Sequence, residues 1–285
     1  MRRSLITVGG ALLLAGLSLA GDTGGATPLE LVVCAPGFPG TTEEARPAMD
    51  RLASLVADAA GWPAGRVSAV YEPEAAAGRQ RLALPGHRLA LVPFSFFWTY
   101  AEELDLDPIL QVARAAKSDE IWSLVARRGE VRHPADLAGW QVRSVAGFSP
   151  EFVRGPLLSS WGSVPLSTRI AFASRILGAL RQAAAGEKVA VLLDPPQTRA
   201  LDSLPFHDDL EVVMRSPGVP GFLLCNRGQD LSAGTVDALT SALIATHRHK
   251  AGRAVLESLR MARFEPLTAP VAHRSTAAGG GAGKR

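Results

Sequence analysis

The stretch ILQVARAAKSDEIWSLVAR, Ile109 to Arg127, decides how this chain is organised. It holds two extended apolar runs, Ile109 to Ala115 and Ile121 to Arg127, joined by Ala116-Lys117-Ser118-Asp119. A crossover helix between parallel strands needs a dozen or more residues, so these runs are expected as antiparallel neighbours. The sequence before them behaves differently. Leu29 to Cys34, Arg66 to Tyr71 and Leu89 to Val92 read as strands separated by helical stretches. Met49, Leu52, Leu55, Val56 and Ala59 fall at helical spacing, behind a cap at Thr41 or Thr42 and the acidic first-turn pair Glu43-Glu44. Strand–helix alternation argues for a largely parallel sheet, and the run at 109–127 breaks it, as a passage between two lobes would.

Alternation resumes beyond it. Gln141 to Ala146, Leu166 to Phe172 and Val189 to Leu193 read as strands, with helices opened by Ser149-Pro150 and Ser174. Leu210 to Met214 and Gly221 to Cys225 flank the stiff turn Ser216-Pro217-Gly218-Val219-Pro220, a second crossing, and two helices close the chain. The expected fold class is α/β with two lobes. One lobe comes from residues 27–115 plus 218–270, the other from 116–217, with a ligand cleft between them.

The N-terminus reads as an export signal. Met1-Arg2-Arg3 is basic, Leu5 to Leu17 is apolar, and Ser18-Leu19-Ala20 is a small-x-small cleavage site. Cleavage near Ala20 is expected to leave the mature chain outside the cytoplasm. The apolar stretch is short for a membrane span of about 20 residues. Residues 271–285 read as a disordered Ala/Gly-rich tail. The formal charge is +3. Without Arg2 and Arg3, and setting aside Arg274, Lys284 and Arg285 on the tail, the body stands near −2, which offers nothing for nucleic acid. The two cysteines, Cys34 and Cys225, each end an apolar run and could be either a disulfide or two buried thiols.

In order, these segments resemble the phosphate/phosphite/phosphonate substrate-binding proteins of ABC transporters, which have the type II periplasmic binding fold. Thr42 through Leu52 resembles the family's first helix. Asp107-Pro108-Ile109 through Arg127 is similar to the strands entering the second lobe. Pro134 through Val142 resembles its "DLKGK" element, and Arg215 through Pro220 its return crossing. The resemblance covers roughly residues 28 to 268. It implies a periplasmic solute-binding role with two partners: a small-molecule ligand, oxyanion-like or more apolar, captured by hinge closure, and a membrane permease. The same fold also admits a non-transport sensing or accessory role.

The family's anion loop, Gly-Ser-Thr-Ser-Gly at a helix N-terminus, is replaced here by Gly147-Phe148-Ser149-Pro150-Glu151-Phe152. One hydroxyl remains, Pro150 removes a backbone donor, and Glu151 adds negative charge. In the first lobe, the family's Gly-Pro-x-x-Tyr segment is replaced by Pro93-Phe94-Ser95-Phe96-Phe97-Trp98. The candidate ligand-binding residues are therefore Ser95, Phe96, Phe97, Tyr100, Ser149, Arg154 and Asp194. Ser149 could equally be a helix cap, the rings could be core, and Asp194 before Pro195 could be a turn starter.

No cofactor, metal site or catalytic residue is expected. His247 and His249, two apart on a helix, cannot grip one ion. No G-x-S-x-G, S-x-x-K or H-E-x-x-H pattern occurs, so the chain does not read as an enzyme.

Overall fold

The computed structural model describes residues 28–114, 119–228, 231–268 and 271–273. The leader at 1–20 and the tail beyond residue 273 lie outside the described residues.

The first strand, β1 (Leu29–Cys34), is almost wholly apolar because both its faces are covered. Leu29, Leu31 and Val33 face one cluster with Met49, Leu52 and Val56, whereas Val32 and Cys34 face another with Leu82 and Phe96. Helix α1 (Thr42–Ala59) lies on the first face. Thr41 caps it in a reciprocal box, its hydroxyl accepting from the Glu44 N–H while the Glu44 carboxylate accepts from the Thr41 N–H. Strands β2 (Val67–Glu72) and β3 (His87–Pro93) flank β1 in parallel, with α2 (Ala75–Ala83) between them in the chain. After α3 (Phe94–Leu104), β4 (Leu106–Ala113) joins the far side of the same sheet.

The chain then leaves through β5 (Asp119–Glu120) and enters a second sheet at β6 (Ser123–Arg127). That sheet is completed by β7 (Gln141–Ser144), β8 (Arg169–Phe172), β9 (Val189–Leu193) and β10 (Leu210–Arg215), in the order β10-β6-β9-β7-β8. Its helices are the single turn α4 (Pro150–Phe152), α5 (Ile176–Ala184) and α6 (Pro195–Ala200). The chain returns through β11 (Val219–Pro220), which pairs antiparallel with β5. Strand β12 (Phe222–Arg227), α7 (Ala233–Ala245), α8 (Lys250–Ser258) and β13 (Arg263–Glu265) finish the first sheet, ordered β13-β4-β12-β3-β1-β2.

The runs at 109–115 and 121–127 are both strands, but they are not neighbours. Strand β4 pairs with β12 and β13, whereas β6 pairs with β9 and β10. Their short connection serves a two-stranded ribbon between the sheets rather than a hairpin turn. Ser216 staples the ribbon: its N–H donates to the Trp122 carbonyl (2.8 Å) and its hydroxyl accepts from the Trp122 N–H (2.9 Å). The helix expected to start at Ser174 instead takes Arg175 as its first flanking residue and has no side-chain cap.

Cys34 and Cys225 are both free and buried. Strand β3 lies between their strands, with Ala90 opposite both Val32 and Cys225. Two interstrand steps of about 4.8 Å exceed the roughly 7 Å that a disulfide spans. Burial pushes the Cys34 thiol up to about 12, helped by the nearby Glu72 carboxylate, and burial raises Cys225 as well. Neither thiol should react with Ellman's reagent in the native protein at pH 8, and both should react in denaturant. Rapid labelling of the folded chain would contradict this packing.

Candidate functional site

Where the two crossings meet, a narrow cavity of ≈ 20 Å³ opens between the sheets. Pro36, Phe38, Pro93 and Ser95 line it from one side, and Trp122, Val145, Ala146 and Asp194 from the other. That volume holds about one water. Gly37, at φ +81°, shows how closely the sides approach: a Cβ there would lie 2.7 Å from a Val145 methyl.

The polar centre of the cleft is Arg114, Glu120 and Asp194. The Arg114 guanidinium lies 3.2 Å from a Glu120 oxygen and 3.7 Å from an Asp194 oxygen. It also sits over the rings of Phe38 (5.1 Å) and Phe222 (5.9 Å). Burial raises the Glu120 carboxyl to about 7, against the pull of Arg114; the Asp194 charge adds to the rise. Burial raises Asp194 as well, against the Gln197 N–H and Arg114. Asp194 has two jobs at once. One oxygen caps α6 by accepting from the Gln197 N–H at 2.8 Å, and the other faces Arg114.

Of the candidates read from the sequence, Ser95 and Asp194 line this cavity. Ser149 is buried but makes no helix-cap bond; its hydroxyl accepts from the Thr99 hydroxyl on α3 at 2.7 Å. Beside that bond, Phe152 meets the Phe94 ring edge-on at 5.5 Å and Trp98 at 5.7 Å. Residues at the site of the family's anion loop are thus packed against α3. Arg154 turns elsewhere, donating to the carbonyls of Val164, Pro165 and Thr168. Phe96 is core, tilted against Tyr100 at 4.9 Å, and Tyr100 in turn lies under Arg79. Phe97 stacks with Phe94 and meets the His273 ring. Of the histidines weighed as metal ligands, His247 sits in a short 3-10 turn and His249 precedes α8. Among the described residues no group of three or more potential ligands converges on a metal position, and no helix is long and apolar enough to cross a membrane.

Arg114 and Glu120 were not singled out from the sequence. A signal was present: they stand at the passage between lobes read from the run at 109–127, where a side chain can border the cleft.

Two mixed sheets joined by a short ribbon, with a polar cluster where they meet, define the type II periplasmic binding fold. Residues 171–270 match the family described as ABC transporter, phosphonate, periplasmic substrate-binding protein, and the chain resembles that family. Among solved structures, it is similar to XAC2383 from Xanthomonas citri bound to chloride ion, with a TM-score of 0.62, 14% identity, and coverage of 84% of this chain and 91% of that one. It is also similar to a binding protein component of an ABC phosphonate transporter from Pseudomonas aeruginosa (TM-score 0.59, 16% identity, 85% and 82% covered). A third is PhnD1 from Prochlorococcus marinus in complex with methylphosphonate (TM-score 0.57, 12% identity, 84% and 92% covered). At these identities the likeness is one of fold. No curated protein matched the chain.

Proposed function

We propose that this protein is the periplasmic solute-binding component of an ABC importer. It captures a small ligand between two lobes by hinge closure and presents it to a membrane permease. The lobes are residues 27–115 with 218–270, and residues 116–217. The observation that carries this reading is the buried Arg114–Glu120–Asp194 cluster, set where the β5–β11 ribbon joins the two sheets. Phosphate itself suits the cleft poorly. Ser149 is engaged by Thr99, and Phe152 fills the adjoining space with apolar surface. A phosphonate with an apolar substituent, or a more apolar anion, suits it better.

Thermal-shift titration and small-angle scattering test this with phosphate, methylphosphonate and phenylphosphonate. A ligand held in the cleft should raise the Tm progressively with concentration and alter the radius of gyration. Expected is a larger rise with phenylphosphonate than with phosphate. No response to any of the three overturns the reading.

A sensing or accessory role is favoured by one observation: the cleft is closed by the protein's own groups, Arg114 on its acids and Thr99 on Ser149. Ligand uptake in cells lacking this protein separates the two roles, since only a transport component is needed for uptake.

A further inference from the structure

We infer that the first lobe contains a second binding site, a cavity beneath α1 that takes a small aromatic monocarboxylate. This holds whether or not the protein serves a permease.

The cavity measures ≈ 260 Å³ and lies between α1, the first sheet and the end of α8. Packed interiors contain few voids larger than a water. At about 30 Å³ per water-sized group, this one has room for roughly eight or nine heavy atoms. Its walls are apolar, with Met49, Leu52, Leu91, Val112 and Met261 among them. Phe38 and Phe222, edge-to-face at 5.4 Å, separate it from the cleft.

Charge selects the ligand. Two arginines line the cavity, Arg114, whose guanidinium is shared with Glu120 and Asp194, and the exposed Arg260, and no described carboxylate lines it. An apolar space with cations and no acids suits a single anionic head on an apolar body. Nine heavy atoms is the size of benzoate.

Arg260 supplies an independent observation. The Met261 N–H bonds back to the Leu256 carbonyl at 2.9 Å, the closing bond of a helix end whose preceding residue is left-handed. Glycine is the usual residue there, yet Arg260 holds it at φ +57°. The position thus carries backbone strain at an arginine that lines the cavity.

The test is calorimetric titration with benzoate, benzyl alcohol and benzylamine, together with methyl NMR of Met49 and Met261. Benzoate should bind saturably and shift both methyl signals, and the other two should bind about tenfold more weakly or not at all, as losing one charge-assisted contact implies. Arg260→Gly should raise the Tm of the unliganded protein by relieving the strained backbone, yet weaken benzoate about tenfold. Ala48→Phe, which fills the cavity from α1, should abolish benzoate binding while leaving the response to phenylphosphonate in place. The inference is overturned if benzoate binds no better than benzylamine, if the two methyl signals do not move, or if Arg260→Gly leaves benzoate affinity unchanged. Failure of the transport reading would appear instead in the scattering and uptake measurements.

Discussion

Replacing Arg114 with methionine destabilises the protein by about 3–5 kcal/mol at pH 8, and by much less at pH 5, because it leaves two buried carboxylates without their cation. The pH dependence follows from Glu120. Its carboxyl titrates near 7 in the folded protein, above its ordinary value of 4.5. Between those values the folded chain holds a proton that the unfolded chain has lost, so this group's contribution to stability falls as pH rises from about 4.5 to about 7. Asp194, also raised, acts in the same direction. Removing Arg114 raises both further, and the gap between wild type and variant widens with pH. Adding Glu120→Gln to Arg114→Met should restore most of the loss at pH 8, since it removes one of the unpaired charges. Chemical denaturation at pH 5 and pH 8 measures both. A loss independent of pH would mean that Arg114 acts through its packing on Phe38 and Phe222, not through the acids.

The second large effect is at Gly147. A Cβ there would lie 2.2 Å from the Ala171 carbonyl oxygen and 2.7 Å from the Phe172 nitrogen. Both are backbone atoms of β8, so no side chain can swing aside, and the 145–149 loop must lift. Gly147→Ala should therefore cost about 3 kcal/mol, at the upper end of overpacking penalties. That corresponds to roughly 6–12 °C in Tm for a chain of this size. Lifting the loop also pulls Ser149 from Thr99 and Val145 from Gly37, so ligand responses in the cleft should weaken too. Gly178 provides the contrast. It sits in α5 with nothing near its Cβ position, and alanine there should stabilise by about 0.5–1 kcal/mol through helix propensity. Matching losses at both positions would show that the close approach at Gly147 is not what matters.

Much of the architecture was legible before any coordinates. The apolar run at 29–34 announced a strand. The Thr and Glu spacing announced the cap of α1, and Pro150 the start of α4. Each is local: burial period and first-turn chemistry are written into neighbouring residues. The candidate site was legible in part. Asp194 could be read as either turn starter or cleft residue because a strand end and a following Pro lie within three positions of it; in the structure it caps α6 and lines the cavity. Arg114 was legible only through its place beside the first crossing, since its charge does not set it apart from the other Lys and Arg.

Alone, then, the sequence indicated most of the strand order and the two crossings, but not α3, α6 or β13. It also indicated an export signal, which lies outside the described residues. Tertiary structure alone decided that the runs around residues 109–127 part into different sheets, because pairing partners are chosen among strands distant in the chain. It brought Arg114 to Asp194, eighty positions away, and turned Ser149 from helix cap to partner of Thr99. Such contacts depend on how two sheets meet across a ribbon, and no local period of burial encodes that distance.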